Sequence, residues 1–371
     1  MPDSSSPTPR DPGRRAVRRR ARRRRRRLAI AVLAAVAAAA TAAGVLLARP
    51  GPTRRAPDRA SAAATRTRTA STTATRTLVR TPSPRAAFAV GLRFETFVDH
   101  SRSIRLPSGT SEPRTLLTVV RYPALGSAAV LDRRDAAPAR AAGPFPLVIF
   151  GHGFAVSPAI HAALLRAWTR AGYVVAAPVF PLENAHAPGG PNEADLVNQP
   201  ADVRFVISSL LAQSRSARSA LHDLIDPAEI AVTGQSDGGD TALAVAYDPP
   251  LRDRRVTAAV ILSGATIPQL GPFVFPSDGP PLLATQGSAD TINVPSATNA
   301  FFTAAHRPKY LLTLLGAPHL PPYTTEQPQL GIVERVTLAF LDRYLKGRTQ
   351  ARAALLAAGH VAGVATLESD P

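Results

Sequence analysis

Residues 230–247 read IAVTGQSDGGDTALAVAY. An apolar run of strand length leads into a G-x-S-x-G turn at 234–238, and a helical pattern follows at once. This order of strand, turn and helix is the context in which a serine at a sharp turn is lifted above the edge of a sheet. The helix N-terminus beneath Ser236 also favours negative charge that develops there. The stretch therefore predicts an α/β sheet that carries a nucleophilic serine, Ser236.

Apolar runs of strand length recur on both sides of this stretch, and helical patterns separate the later ones. The middle runs are continuously apolar, as in parallel strands that helices cover on both faces. The predicted strands are residues 91–98, 116–122, 146–150, 173–178, 230–233, 258–263, 281–285 and 309–315. The predicted helices are 159–171, 201–212, 238–247, 296–305, 332–345 and a short one at 352–358. This alternation predicts a doubly wound, mostly parallel sheet of eight strands with helices on both faces.

A serine hydroxyl is a weak nucleophile at neutral pH and needs a general base. Of the eight histidines, His319 lies in the loop directly after the last predicted strand, where the base of such a sheet belongs, while His360 falls in the C-terminal tail. The base in turn needs a carboxylate that fixes its tautomer. Asp290 follows the seventh strand and completes the chain order Ser, Asp, His, whereas its rivals Asp278 and Asp240 precede that strand or lie in the nucleophile helix. We therefore expect Ser236, Asp290 and His319 to form a catalytic triad.

Acyl transfer also requires two hydrogen-bond donors for the developing oxyanion. One expected donor is the backbone N–H of Asp237, directly after the nucleophile. The other is assigned to the backbone N–H of Phe154, in the loop GHGF that follows the third predicted strand. His152 in this loop is interpreted as a structural residue that orients the loop.

Two further segments fall at the same predicted edge of the sheet. Residues 183–200 follow the fourth strand without periodicity and are expected to form a rim or lid. Asn184, His186 and Asn198 either contact substrate or order this loop through their own hydrogen bonds. Residues 270–276, LGPFVFP, either line an acyl pocket or belong to the core.

The net positive charge of the chain lies entirely in its N-terminal arm. The chain has 371 residues and a formal net charge of +18. Residues 1–85 contain 21 Arg and three acidic residues and therefore carry the whole excess, while the remainder has 23 basic and 23 acidic residues. A neutral body lacks the basic face that nucleic-acid binding needs, so no nucleic-acid partner is expected.

The arm divides into three parts. Residues 1–27 are a basic N-terminus, and 28–48 are an uncharged, Ala-rich stretch of 21 residues, long enough to span a bilayer. Residues 49–86 form a Thr-, Arg- and Pro-rich segment expected to be a disordered tether. Arginines ahead of the span predict a single-pass cell-membrane protein with the body, residues 87–371, outside the cytoplasm. The alternatives are a secreted protein whose signal sequence is cleaved and a cytoplasmic arm.

Four motifs now occur in order on the expected strand ends: PLVIFGHGF at 146–154, GQSDGG at 234–239, QGSAD at 286–290 and GAPH at 316–319. With them the sequence resembles the serine esterases of the α/β-hydrolase superfamily. Its closest resemblance is to the branch of platelet-activating-factor acetylhydrolase-like, chlorophyllase-like and dienelactone-hydrolase-like enzymes, over about residues 90–345.

The resemblance implies a carboxylic-ester hydrolase that works through an acyl-enzyme on Ser236, with His319 as base and Asp290 orienting it. It also implies an oxyanion hole at Phe154 and Asp237, a small-molecule or lipid ester as substrate, and no cofactor or metal. The chain departs from the branch in having no Cys, since dienelactone hydrolases proper use a cysteine nucleophile. It also has an acid, Asp237, where many relatives carry an apolar residue. An envelope acyltransferase with the same triad and a non-catalytic binding module on a hydrolase scaffold remain as alternatives.

Overall fold

A single mixed sheet of ten strands organises the part of the chain that the computed structural model describes, residues 87–129 and 131–371. The strands are β1 Phe88–Arg105, β2 Ser111–Ser127, β3 Arg133–Arg134, β4 Phe145–Gly151, β5 Val174–Pro178, β6 Ile225–Gln235, β7 Val256–Leu262, β8 Leu282–Gly287, β9 Lys309–Leu314 and β10 Ala365–Asp370. The predicted basic N-terminus, hydrophobic span and tether, residues 1–86, lie outside the described residues. Within the described ranges, no helix combines the length and the apolarity that crossing a membrane requires.

The strand order is β10-β9-β8-β7-β6-β4-β5-β2-β1-β3. The six strands β4 to β9 run parallel, so that their carboxyl ends share one edge of the sheet. The long β1–β2 hairpin joins antiparallel to β5, and β10 joins antiparallel to β9 at the opposite end. The shared edge of the parallel strands is where ligands bind in open α/β sheets.

Six helices cover the sheet: α1 Ala162–Arg170, α2 Gln199–Arg215, α3 Asp237–Tyr247, α4 Pro295–Ala304, α5 Gln329–Tyr344 and α6 Ala351–Gly359. Side chains of α2, α3 and α4 share one apolar cluster, and those of α1, α5 and α6 share the other. Along β4, Leu147 belongs to the first cluster and Val148 to the second, because successive residues of a strand face opposite sides. This burial on both faces accounts for the continuously apolar strands of the sequence.

The α/β-hydrolase-like, mostly parallel sheet with helices on both faces is confirmed, but its predicted count of eight strands is wrong. The two further strands have no apolar run that could reveal them. The first, β3, is a pair of exposed arginines beside β1. The second, β10, reads ATLESD and buries only Ala365 and Leu367, because it lies at the edge of the sheet and most of its side chains face solvent.

Candidate active site

The G-x-S-x-G sequence forms the sharp turn between β6 and α3. Ser236 has φ of 57° and ψ of −126°, a conformation that non-glycine residues rarely adopt. A Cβ atom on Gly238 would lie only 2.1 Å from the backbone oxygen of Gly151, so this position requires glycine. The close packing of the two loops holds the strained turn, as is typical of functional sites. Ser236 is consequently fixed at the carboxyl edge of the sheet, and its side chain is mostly buried.

The structure brings together the three residues predicted as a triad. His319 lies in the loop after β9, and its Nε2 is 2.8 Å from Ser236 Oγ. Asp290 lies after β8, and its Oδ2 is 2.6 Å from His319 Nδ1. Both distances are within hydrogen-bond range, and the short contact between imidazole and carboxylate is typical of a charge-assisted bond. The arrangement allows His319 to receive the hydroxyl proton of Ser236 while Asp290 holds the ring.

Backbone and side-chain donors fix the orientation of Asp290. Its Oδ1 accepts the backbone N–H groups of Ile292 and Asn293 at 2.8 and 3.1 Å. The Nε2 of Gln286 donates to its Oδ2 at 3.3 Å. With Oδ1 engaged by the loop, Oδ2 is the oxygen that faces His319. Gln286 was not among the predicted site residues, although it is the first residue of the QGSAD stretch, because its side chain takes no part in the chemistry expected of a triad.

Gln235 is a second residue that the sequence does not single out. Its Nε2 donates to the backbone oxygen of His319 at 3.2 Å and lies 3.2 Å from the ring Nε2. It therefore ties the histidine loop to the residue just before the nucleophile. Gln235 occupies the first x of the G-x-S-x-G motif, directly before Ser236, and this position is the signal that could have identified it.

The loop after β4 closes over the nucleophile. A Cβ atom on Gly153 would lie 3.0 Å from the Cβ of Ser236, so only glycine permits this approach without a shift of its neighbours. Phe154, the predicted second oxyanion donor, is the next residue, and Asp237 begins α3 on the other side of the serine. Within the described residues, the backbone N–H groups of Phe154 and Asp237 have no hydrogen-bond acceptor. Their use by an oxyanion stays a prediction.

His152 stabilises this loop from within. Its Nδ1 is 2.9 Å from the backbone oxygen of Gly153, and its Nε2 accepts the backbone N–H of Phe180 at 3.1 Å. Burial lowers the pKa of His152 to about 4, against opposing contributions from the Gly153 hydrogen bond and the charge of Asp237. The imidazole is therefore neutral at physiological pH, as its accepting Nε2 requires. These contacts agree with the interpretation of His152 as a structural residue.

The rim segment is ordered by its own hydrogen bonds. The side-chain amide of Asn184 donates to the Phe180 carbonyl at 2.8 Å, and its oxygen accepts the N–H of His186 at 2.8 Å. Asn198 Nδ2 donates to Asp195 Oδ1 at 2.8 Å. These contacts agree with the expectation that Asn184 and Asn198 order the loop through their own hydrogen bonds, and not with the alternative that they contact substrate.

A buried arginine anchors the same segment to the sheet. Arg114 of β2 forms a bidentate pair with Asp195 in the rim segment, with distances of 2.8 and 2.9 Å. It forms a second bidentate pair with Asp202 at the start of α2. Both carboxylates and the guanidinium are almost fully buried, and the two carboxylates hold the pKa of Arg114 above its usual value despite burial.

The other segment at the edge, residues 270–276, contributes to the core. Leu270, Phe273 and Phe275 are buried in the cluster that also contains α3, and the ring of Phe275 lies 5.1 Å from that of Tyr247. The rival acid Asp278 lies beyond this segment and pairs with Arg252. Asp240, the other rival, accepts the backbone N–H of Ala265 at 2.6 Å. Neither rival carboxylate contacts His319 through a hydrogen bond.

Two comparisons with known proteins match this architecture. The family model described as Chlorophyllase matches residues 136–261, about a third of the chain, which include the loop after β4 and the turn at Ser236. Among solved structures, the chain is similar to the ferulic acid esterase from Streptomyces cinnamoneus at 2.4 Å resolution, with a TM-score of 0.53 and 24% sequence identity. That similarity covers 73% of this chain and 93% of the esterase chain. A comparison with curated proteins gave no match.

The structural neighbour shares the fold, and the family model covers the segment that carries the nucleophile turn. Together they bear out the resemblance to α/β-hydrolase serine esterases and the expectation of a carboxylic-ester hydrolase. The matched segment ends before Asp290 and His319, so the assignment of these two residues depends on the geometry described above.

Proposed function

We propose that the chain hydrolyses carboxylic esters through an acyl-enzyme formed on Ser236. The observation that carries the proposal is the unbroken hydrogen-bonded series from Ser236 Oγ to His319 Nε2 and from His319 Nδ1 to Asp290 Oδ2. A non-catalytic scaffold has no need to keep three side chains from three separate loops hydrogen-bonded to one another. The shared fold of the ferulic acid esterase supports the same class of reaction.

The chemistry follows from which atoms face each other. As Ser236 Oγ attacks the ester carbonyl carbon, His319 Nε2 takes its proton, and the carbonyl oxygen becomes an oxyanion between the Phe154 and Asp237 backbone N–H groups. Collapse of this intermediate breaks the bond to the alkoxy group, which receives the proton from His319 and leaves as the alcohol. The acyl group then remains on Ser236.

A water molecule completes the cycle. His319 removes a proton from the water as its oxygen attacks the acyl carbon, and a second oxyanion forms in the same hole. Its collapse returns the proton to Ser236 Oγ and releases the carboxylic acid. Throughout both halves, Asp290 keeps Nδ1 of His319 protonated and stabilises the imidazolium that forms. The substrate is a small-molecule or lipid ester, and no step requires a metal or cofactor.

The test is hydrolysis of a series of p-nitrophenyl esters by the full-length chain. Ser236→Ala removes the nucleophile and should lower kcat by about 10⁵–10⁶-fold, since triad members act as a unit. The matched control is Ser103→Ala, which shortens an exposed serine on β1 and should leave kcat unchanged. Ser236→Ala activity within about tenfold of the wild type would remove Ser236 from the reaction.

A further inference from the structure

Two buried carboxyl groups, those of Glu183 and Asp237, meet at the nucleophile turn and take no part in the triad. Glu183, the first residue of the rim segment, is completely buried, and neither of its carboxyl oxygens has a hydrogen-bond donor within the described residues. Its side chain is within hydrogen-bond reach of Asp237, whose Oδ2 also lacks a donor there. Two carboxyl groups that face each other in this way can bond only if a proton lies between them.

The charges around Glu183 make its full ionisation unfavourable. Burial is the largest influence and raises the pKa of Glu183 well above its usual value, and the charge and hydrogen bond of Asp237 raise it further. Asp195 and Glu193, both on the 3₁₀ turn Glu193–Asn198, act in the same direction. His152, whose ring interacts with the charge of Asp237, is neutral. The proton of the pair therefore belongs mainly to Glu183, whose pKa is raised by burial.

The backbone of Glu183 is bonded to the loop that carries the other oxyanion donor. Its carbonyl accepts the N–H of Ala155, next to Phe154, at 2.9 Å. The N–H of Glu183 donates to the Phe180 carbonyl at 3.3 Å, and the Phe180 N–H is held by His152. Glu183 thus belongs by its backbone to the Phe154 side of the site and reaches by its side chain to Asp237 on the other side.

We propose that Glu183 is a positioning residue whose carboxyl group shares one proton with that of Asp237, and that this bond holds the two oxyanion donors at their working separation. The inference rests on the proposed function, since it takes Phe154 and Asp237 as the donors. A hydrogen bond between a carboxyl and a carboxylate is charge-assisted and stronger than a neutral one, so it is suited to fixing two loops. Loss of the proton at alkaline pH places two negative charges side by side and separates the loops.

The kinetic test uses the full-length chain and a soluble p-nitrophenyl ester. In the wild type, kcat should fall on the alkaline side as the shared proton is lost, while KM changes little, because an oxyanion hole acts on the transition state. Glu183→Leu removes the bond and should lower kcat by about 10–100-fold at every pH, less than the loss of a whole oxyanion donor. Glu183→Gln supplies a permanent amide donor to Asp237. Its kcat should therefore be close to that of the wild type and should not fall at alkaline pH.

The matched control is Glu193→Gln, which removes a nearby negative charge but does not replace the proton. It should keep the alkaline fall. The proposal is overturned if Glu183→Gln shows the same alkaline fall as the wild type, or if Glu183→Leu keeps wild-type kcat while folded.

An infrared measurement separates this proposal from the proposed function. In the Ser236→Ala background, which needs no turnover, the difference spectrum against Ser236→Ala/Glu183→Gln should contain the band of a protonated carboxyl group at neutral pH. That band should disappear on alkaline titration. Its absence at neutral pH overturns the shared proton even if the wild type hydrolyses esters. Its presence upholds the carboxyl pair even if ester hydrolysis fails.

Discussion

Asp290→Asn changes one atom of the site, and the structure determines how the new amide must turn. Oδ1 of Asp290 receives two backbone N–H groups, from Ile292 and Asn293, that cannot change their protonation. The oxygen of an asparagine must therefore stay at this position, and its NH₂ group takes the place of Oδ2, 2.6 Å from His319 Nδ1. The nearby Gln286 amide does not reverse this choice, because it also bonds to the carbonyls of Gly287 and Asn293 at 3.0 Å.

The amide then imposes the wrong tautomer on His319. An NH₂ donor at Nδ1 requires Nδ1 to accept, so the ring proton moves to Nε2, which faces Ser236 Oγ at 2.8 Å. A protonated Nε2 cannot take the hydroxyl proton. The expected loss in kcat is about 10⁴-fold, the usual cost of this substitution in a triad, or about 5 kcal/mol of transition-state stabilisation.

The assay is kcat for a p-nitrophenyl ester, measured with thermal unfolding by circular dichroism as a check of folding. Asp278→Asn is the matched control, because Asp278 is the rival acid, is exposed and pairs with Arg252 and Arg254 rather than with His319. It should keep wild-type kcat. If folded Asp290→Asn stays within about tenfold of the wild type, Asp290 does not orient the base.

Three further predictions concern stability and the arm. His161 is fully buried with no partner for either ring nitrogen within the described residues, and burial lowers its pKa to about 3. The unfolded chain protonates this imidazole below about pH 6.5, whereas the folded chain does not. His161→Leu should therefore raise the free energy of unfolding in urea by about 2 kcal/mol more at about pH 5 than at about pH 8, and an equal increase at both would contradict the reasoning. Arg114→Met leaves the buried Asp195 without its cation and leaves Asp202 paired with Arg102 alone, and it should cost about 3–5 kcal/mol in the same measurement, so a loss under about 1 kcal/mol would refute it. Deleting residues 1–86 should leave kcat on soluble esters unchanged and release the protein from membrane fractions, because no predicted site residue lies in that arm; a full-length native chain found in the soluble cytoplasm would defeat the predicted anchor and the secreted alternative alike.

Most of the sheet was predictable because its strands are buried on both faces. Continuous apolar runs of strand length, such as residues 146–150 and 258–263, are typical of buried parallel strands in a chain where helices lie between them. Strands at the edges of the sheet are not buried on both faces and therefore need no continuous apolar run. The alternating ATLESD of β10 and the Arg133–Arg134 pair of β3 are stabilised by pairing with a neighbouring strand, which no local pattern records.

The site residues also divide into those that the sequence identifies and those that it does not. Ser236, Asp290 and His319 were identifiable because each follows a strand that the sequence marks, and parallel strands bring their carboxyl ends to one edge. The residues that hold them were not. The bonds of Gln286 depend on how the loop after β8 folds, and the contact of Glu183 with Asp237 joins segments far apart in the chain. Both residue types also occur on any surface.

The central claim is that Ser236 is the nucleophile, and labelling by a p-nitrophenyl phosphonate tests it most directly. The phosphonate should add once to the full-length chain, release one p-nitrophenolate and abolish ester hydrolysis, and peptide mass analysis should place the adduct on Ser236. Ser236→Ala should take up no label, while Ser103→Ala should be labelled like the wild type. An adduct on another residue, or full ester hydrolysis by the chain labelled at Ser236, would contradict the account.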